Sequence, residues 1–246
     1  MSTRHMGAVA LLVSAIALAA SSGYAAAANT DAATAKALNV TRADLPVSVK
    51  WTASAQAPNS ASETALAVKA VGCIRAGGGA AARISTDPFG TTEVVSGTVT
   101  ADAESPYFAP TGSRNSVASV SSEVVMLKSA SQAANDLSAF ATNVAHTCLT
   151  NLFIALLGKE AGEGKFKFTM TAPSIPHLGT GRGGLDLRIV LSGGKLPGPI
   201  IDYTYFYVQG RAEVALSFVS FQTQFPVAWA NAIAARVMDK ARALLD

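Results

Sequence analysis

The sequence predicts an α+β fold, a single domain in which an antiparallel sheet of about six to seven strands packs against helices. Two observations lead to this class. Four strand patterns lie between residues 164 and 222 with no helix pattern among them, whereas a parallel sheet needs a helix between nearly every two strands. Helix patterns lie before, between and after the paired strands, which is typical of helices segregated around an antiparallel sheet.

The first 28 residues have the order of a secretory signal peptide. Arg4 precedes an apolar stretch over residues 6–20, and small residues follow up to 28. The stretch is shorter than the roughly 20 residues that cross a bilayer as a helix. We expect cleavage after Ala27 or Ala28, with an uncleaved N-terminal tether as the alternative.

The localisation that follows is secreted or extracytoplasmic. The leader contains no cysteine, so a thioether-linked lipid has no acceptor sulfur, and we expect a chain that is not lipid-anchored. No later stretch reaches 18 consecutive apolar residues, so no transmembrane segment is expected after signal removal.

Residues 29–43 are Ala-rich and polar, and although a short helix could form there, we expect a flexible N-terminal tail. The single α+β domain then spans 44–246. It opens with a turn at Pro46 and a strand that ends at Trp51.

The next segments alternate between helix and strand. A helix is predicted over residues 62–75, with the glycines at 77–79 ending it. The Val-, Ser- and Thr-rich segments 92–100 and 116–127 predict two paired strands. Residues 131–157 hold the longest apolar period of 3.6 in the sequence and predict one major core helix.

The last third consists of strands and a closing helix. Residues 165–171 and 185–191 alternate strictly, which predicts half-buried strands. A tight turn at Gln209 and Gly210 joins two further strands, because glycine accepts positive φ. Pro226 opens the closing helix, whose predicted apolar stripe is Val227, Ala230, Ala234, Val237, Ala241 and Leu244.

The two cysteines, Cys73 and Cys148, each lie on the apolar stripe of a predicted helix. An even count in an exported chain favours a disulfide, with both sulfur atoms directed inward. Such a bond closes a long loop, which the chain-entropy model credits with stabilisation on the order of 4 kcal/mol. Two buried thiols and a metal pair are the alternatives; the metal pair lacks His or acidic partners at ligand spacing.

Charge and motifs exclude several function classes. The net charge is only +3 and no run of five Lys or Arg occurs, so no nucleic acid partner is expected. The glycine-rich segment 179–184 matches G-x-G-x-x-G, but prolines precede it and a strand follows, so it is a hairpin connection. His146 and His177 lie in no hydrolase or zinc motif, and we predict no enzyme activity, no cofactor and no metal.

Three tyrosines give the clearest indication of a ligand site. Tyr203, Tyr205 and Tyr207 alternate along one strand and therefore share one sheet face. Tyrosines suit an amphipathic ligand or a partner protein, and Arg188 and Arg211, if on neighbouring strands, could bind its carboxylate or phosphate. The alternative is that the tyrosines cover the sheet beneath a helix.

The chain resembles a group of actinobacterial secreted and lipoprotein-borne domains that includes the extracellular sensor domains of mycobacterial serine/threonine kinases. The likeness rests on loose motifs over residues 40–246: the opening from Asp44 to Trp51, the two cysteines on helices, the Ser-Val strand at 116–120 and the closing hairpin. It implies a PsbP-like α/β sandwich, an intramolecular disulfide and a cleft for a small or lipidic ligand. It carries no catalytic residues.

The function expected from the sequence is a non-enzymatic secreted binding or sensor-like module of the cell envelope. Its partner would be a small amphipathic or lipidic ligand, or an envelope protein. The alternatives are a protein that acts through surface interactions or as a structural component of the envelope and, third, a secreted hydrolase, which would need His146 or His177 beside both a nucleophile and a carboxylate.

Overall fold

The computed structural model describes residues 27–56, 60–86, 97–111, 118–160, 166–171, 184–193, 198–221 and 223–246. The predicted signal peptide therefore lies outside the described residues except for its last two positions. His177, the first half of the predicted strand 92–100 and nearly all of the glycine-rich segment also lie outside them.

The α+β class is confirmed. The α-helices of the described residues are α1 (Ala27–Leu38), α2 (Ala61–Ala76), α3 (Ala130–Phe140), α4 (Asn143–Glu160) and α5 (Val227–Leu245). The strands are β1 (Trp51–Ser54), β2 (Val99–Glu104), β3 (Tyr107–Pro110), β4 (Ala118–Leu127), β5 (Phe166–Thr171), β6 (Gly184–Gly193), β7 (Ile200–Gln209) and β8 (Ala212–Phe221).

All eight strands form one antiparallel sheet in the order β1-β3-β4-β8-β7-β6-β5, with β2 also paired to β4. β2 and β3 share one edge of β4, because β8 pairs along the other edge. Between them, the Ser105 amide donates to the Ser122 carbonyl. If β2 and β3 are counted as one interrupted strand, the sheet has seven strands, in agreement with the prediction of about six to seven.

Helices cover both faces of the sheet, which divides the interior into two cores. The disulfide face is the one packed against α2, α3 and α4, and its core includes Val125, Leu127, Phe206, Val208 and Val219. The tyrosine face is packed against α1 and α5, and its core includes Val120, Val124, Tyr203, Tyr205 and Phe218. Successive residues of a strand point to opposite faces, so neighbours such as Phe206 and Tyr205 belong to different cores.

The predicted disulfide between Cys73 and Cys148 is confirmed and joins α2 to α4. Cys148 is buried, but Cys73 is exposed, so the expectation that both sulfur atoms point inward is wrong. The two helices approach closely near the bond: a Cβ on Gly77 would lie 2.6 Å from Val144 Cγ1. Gly77 therefore serves the packing of α2 against α4 as well as the end of α2.

The single long helix predicted over 131–157 is two helices, α3 and α4, bent by 76°. The apolar period continues through the bend, but Thr142 starts a new helix because its Oγ1 accepts from the Ala145 amide. Within the described residues no single helix is long and apolar enough to cross a membrane. α3 and the first part of α4 reach that length and hydropathy only when the two are taken together, and the bend separates them.

The prediction of a flexible tail at 29–43 is wrong. Residues 27–38 form α1, and Ala35 and Leu38 are fully buried in the core of the tyrosine face. Asp31 of α1 forms a salt bridge with Arg211 in the β7–β8 turn. The Ala-rich sequence hid this role because alanine gives a weak hydrophobic signal, although it packs as closely as a larger residue where helix and sheet are near.

Two element boundaries also differ from the predictions. Trp51 begins β1 rather than ending a strand, because the preceding residues form a turn in which the Val49 amide donates to the Pro46 carbonyl. The turn of the β7–β8 hairpin is Gly210 and Arg211, since Gln209 still pairs with Ala212. Gly210 has φ of +55°, as expected for a residue that must be left-handed in such a turn.

The stripe predicted for α5 is correct at its centre and wrong at its ends. Val227 and Leu244 are 46% and 52% exposed, whereas Ile233 and Met238, which were not predicted, are buried. The helix therefore contacts the sheet through its middle turns.

Leu38→Ala tests whether α1 belongs to the folded domain. Loss of a fully buried leucine should lower the free energy of unfolding by about 2 to 5 kcal/mol. Lys36→Ala, an exposed position of the same helix, is the control and should change it by less than about 0.5 kcal/mol. Urea unfolding followed by circular dichroism measures both variants. If Leu38→Ala were as stable as the wild type, residues 29–43 would be a tail that contributes nothing to the folded domain.

Candidate functional site

The predicted tyrosine site lies on the tyrosine face beneath α5. Tyr203, Tyr205 and Tyr207 are 7%, 4% and 4% exposed. The Tyr205 hydroxyl donates to Asn231 Oδ1 of α5 at 3.1 Å. The three rings are thus part of the core between sheet and helix, which is the alternative that the sequence left open.

The tyrosines continue into a chain of aromatic contacts across this face. The pairs run from Trp51 to Trp229, Phe225, Phe218, Tyr205 and Tyr207, with ring centroids 5.1 to 6.2 Å apart. Most of the pairs are edge-to-face, the arrangement that the ring quadrupole favours. These contacts fix α5 on the sheet.

Among the predicted site residues, Arg188 lies on the tyrosine face and has no counter-ion among the described residues. It lies on β6 directly opposite Tyr203, and its guanidinium carbon is 5.2 Å from the centroid of that ring. Its Nε is buried and has no hydrogen-bond partner, and no carboxylate in the described residues forms an ion pair with it. The charge is therefore held by a cation–π contact alone.

Arg211 does not join Arg188, so that part of the prediction is wrong. It lies in the β7–β8 turn, where its Nη1 donates to Asp31 Oδ2 at 2.8 Å and to the Leu127 carbonyl at 3.1 Å. The hydrogen bond from Arg211 lowers the pKa of Asp31. Arg211 anchors α1 to the sheet.

The disulfide face carries a polar group that the sequence analysis did not single out. Ser121 on β4, Ser217 on β8 and Thr204 on β7 lie directly opposite one another across three strands. We call these three residues the hydroxyl row. Asp202 adjoins it on β7, where its Oδ1 accepts from Ser217 Oγ at 3.1 Å and from Thr204 Oγ1 at 3.5 Å.

Buried carboxyl groups flank the hydroxyl row on both sides. Burial raises the pKa of Asp202 to about 7. On the other side Glu104 of β2 lies opposite Glu123 of β4, and burial, with a smaller effect of the nearby Asp102 carboxylate, raises the pKa of Glu104 to about 8. Raised pKa values in a buried polar cluster are a feature of functional sites as well as of structural networks.

A second polar cluster on this face is structural. Asp136 of α3 is fully buried and accepts hydrogen bonds from the amide and hydroxyl groups of Ser85 and Thr86. The Thr86 hydroxyl oxygen also lies 3.0 Å from Glu213 Oε2 of β8, so its one proton is shared between the two carboxyl groups. The cluster ties α3 and the segment after α2 to the sheet.

A signal for the polar groups was present in the sequence. Ser119, Ser121 and Glu123 alternate with valine and serine on β4, and Asp202 and Thr204 alternate with the tyrosines on β7. Alternation usually indicates a solvent-facing side, but here helices cover both faces. The polar residues are consequently buried.

The described residues include potential metal ligands and one of the two histidines considered above, His146. No group of three His, Cys, Asp or Glu among them is arranged to hold a metal ion. The His146 Nε2 atom is buried and makes no hydrogen bond to any described group.

Comparisons with protein-family models, with curated proteins and with solved structures find no match to this chain. The resemblance to kinase sensor domains therefore rests on the sequence motifs given above.

Tyr205→Ala and Tyr205→Phe distinguish a core tyrosine from a ligand-contacting one. Truncation to alanine leaves a cavity beneath α5 and should lower the free energy of unfolding by about 3 to 5 kcal/mol. Phenylalanine keeps the ring and loses only the bond to Asn231, so its cost should be about 1 kcal/mol. Thermal and urea unfolding measure both variants; an alanine variant as stable as the wild type would contradict a core role.

The buried carboxyl groups predict that the protein loses stability as pH rises. Because the folded-state pKa of Asp202 is about 7 and that of Glu104 about 8, the folded state binds more protons than the unfolded state above the ordinary carboxyl pKa of about 4. The free energy of unfolding should therefore fall from about pH 4 to about pH 8.

Asp202→Asn and Glu104→Gln should each flatten this dependence, whereas Asp239→Asn, at a well-exposed carboxylate, should leave it unchanged. Unfolding midpoints across the pH range provide the measurement. A slope in Asp202→Asn equal to that of the wild type would show that Asp202 is ionised throughout.

Proposed function

We propose that this chain is a non-enzymatic, extracytoplasmic binding or sensor-like module of the cell envelope, and that it binds an amphipathic ligand whose acidic head group pairs with Arg188. The observation that carries the proposal is the uncompensated guanidinium on the tyrosine face. A buried donor without an acceptor is costly, and such a group in a folded protein needs an explanation. A bound carboxylate or phosphate supplies one.

The geometry around Arg188 suits an anion. The planar guanidinium matches carboxylate and phosphate oxygens in two parallel hydrogen bonds. Stacking on Tyr203 restricts the side chain before a ligand arrives, so little further conformational entropy is lost on binding. The charge also lies on β6, one strand outside the tyrosines of β7 that α5 covers.

The residues next to Arg188 suit an apolar chain. Val190 follows it on the same face of β6 and lies opposite Ile201 of β7. Both belong to the hydrophobic environment of the tyrosine face. A ligand with its head group at Arg188 could thus place methylene groups against Val190 and Ile201, where burial contributes about 0.8 kcal/mol per methylene.

Two features support the extracytoplasmic part of the proposal. The leader has the composition of a signal peptide, and a disulfide joins the two cysteines. Stable disulfides are typical of exported proteins.

The second candidate is a protein that acts through its surface. Val68 of α2 and Ile154 of α4 are each 51% exposed, on the two helices that the disulfide joins. A partner protein could bind there without any small ligand. This function predicts that Val68→Ser weakens partner binding and that Arg188 has no role in it.

Dodecanoate and dodecanol, a matched acid and alcohol, test the proposed function by isothermal titration. We expect dodecanoate to bind and Arg188→Gln to weaken it tenfold or more, the effect of losing roughly 1.5 to 3 kcal/mol from a hydrogen bond to a charged group. Arg75→Gln, at an exposed position of α2, is the control and should bind as the wild type does. Dodecanol should bind wild type and Arg188→Gln equally.

Native mass spectrometry of protein from its own secretion medium provides a second readout. An added mass that corresponds to an acidic lipid, absent from Arg188→Gln, is expected. A ligand-free mass together with no dodecanoate binding would overturn the proposal and favour the surface-acting protein.

A further inference from the structure

We propose that Cys73, the exposed end of the disulfide, is a modification site for small thiols. A low-molecular-weight thiol forms a mixed disulfide with Cys73 and releases Cys148, which opens the covalent link between α2 and α4. The site uses neither Arg188 nor the tyrosine face, so it does not depend on the function proposed above.

The two ends of the disulfide differ in exposure. Cys73 is exposed, whereas Cys148 is 3% exposed. The backbone of a helix is largely covered by its own side chains and neighbouring turns, so the exposed area of a helical cysteine belongs mainly to its Cβ and sulfur atoms. Access is one of the factors that decide which sulfur of a disulfide is attacked. A thiolate that arrives from solvent therefore meets the Cys73 sulfur.

The surface beside Cys73 is open. Gly72 is exposed, and a Cβ placed on it would meet no atom of the described residues within 4 Å. One turn after Cys73, in contrast, α2 touches α4, because a Cβ on Gly77 would lie 2.6 Å from Val144 Cγ1. A group attached to Cys73 can therefore extend over Gly72 into solvent without displacing α4.

The charge near Cys73 favours an anionic thiol. Lys69 is exposed and lies one turn before Cys73 on the same face of α2. No acidic residue lies within four positions of Cys73 in the sequence. The ammonium group raises the local concentration of anions, and the attacking species in this chemistry is a thiolate.

The reaction is a thiol–disulfide exchange. The thiolate attacks Cys73 Sγ, a new S–S bond forms, and the bond between Cys73 and Cys148 breaks. Cys148 leaves as a thiolate and takes up a proton, so this step involves no net oxidation or reduction. A second thiolate completes the reduction by attacking the sulfur of the attached group: Cys73 leaves as a thiolate, the small compound leaves as its own disulfide, and the protein gains two electrons.

The packing of α2 does not depend on the disulfide alone. Ala67, Val71 and Ile74 of α2 are buried in the same core as Leu149 and Phe153 of α4. These contacts remain when the bond opens. The modified protein should therefore stay folded, with α2 held less tightly than in the oxidised form.

Brief treatment of the wild type with 3-mercaptopropionate, followed by iodoacetamide and tryptic mass spectrometry, tests the site directly. The two cysteines fall in separate tryptic peptides, residues 70–75 and residues 129–159. We expect the added group on the peptide with Cys73. Attachment to Cys148, or to both cysteines equally, would overturn the proposal.

The role of Lys69 is tested with an anionic and a cationic thiol, 3-mercaptopropionate and cysteamine, compared at equal thiolate concentrations. The wild type should react faster with the anion, and Lys69→Gln should reduce that preference by about twofold or more, as expected for one exposed charge. Lys36→Gln, an exposed position on α1, is the control and should keep the preference. Equal preference in Lys69→Gln and the wild type would contradict the role of Lys69.

Cys148→Ser and Cys73→Ser form a matched pair, because both lack the disulfide and each keeps one thiol. The Cys73 thiol of Cys148→Ser should react with dithionitrobenzoate about tenfold faster or more than the Cys148 thiol of Cys73→Ser, since a buried cysteine is inert unless the structure opens. Circular dichroism shows whether both variants are folded. Equal rates in two folded variants would overturn the proposal, and if either variant is unfolded the wild-type modification decides.

Discussion

The structure depends on one constraint: the central strands β4, β8 and β7 are buried on both faces, by helices on each side. A sheet with a solvent-facing side can place polar residues there at no cost. Here most polar side chains of these strands are removed from water, so each of these must find a partner or be unfavourable. The chain nevertheless keeps Asp202, Thr204, Glu123, Glu213 and five serines in these strands.

Most of the buried polar groups are used to attach the helices and the N-terminal segment to the sheet. Asp136 accepts four hydrogen bonds from two successive residues after α2. Asn39 bonds to Ser122 and to the Ala103 carbonyl, and Lys240 of α5 bonds to the Asn39 carbonyl and to Asp44. These contacts are specific as well as favourable, because an apolar interface alone would tolerate sliding. Against this background Arg188 stands apart, because its buried Nε has no hydrogen-bond partner.

The sequence predicted features that depend on local chemistry. Alternation and the Gly210 turn predicted the β7–β8 hairpin, and cysteine count with compartment predicted the disulfide. The sequence-based predictions were wrong for features that depend on tertiary contacts. The role of α1 depends on Arg211 lying 180 positions away from Asp31, and the bend between α3 and α4 depends on a threonine cap inside a continuous apolar period. The hydroxyl row was missed for the same reason, since its three members come together only through register.

The register of β7 determines which side chains each face of the sheet presents. Asp202 and Tyr203 are adjacent in sequence, yet one lies beside the hydroxyl row and the other beneath Arg188. A slip of one residue would exchange the faces, placing tyrosines against α3 and a carboxyl group against α5. The two-residue turn at Gly210 and Arg211 prevents this slip from one end, and the Asp31–Arg211 salt bridge holds that turn against α1. Arg211, predicted as a ligand residue, therefore influences the surroundings of Arg188 through the register, without contact with Arg188.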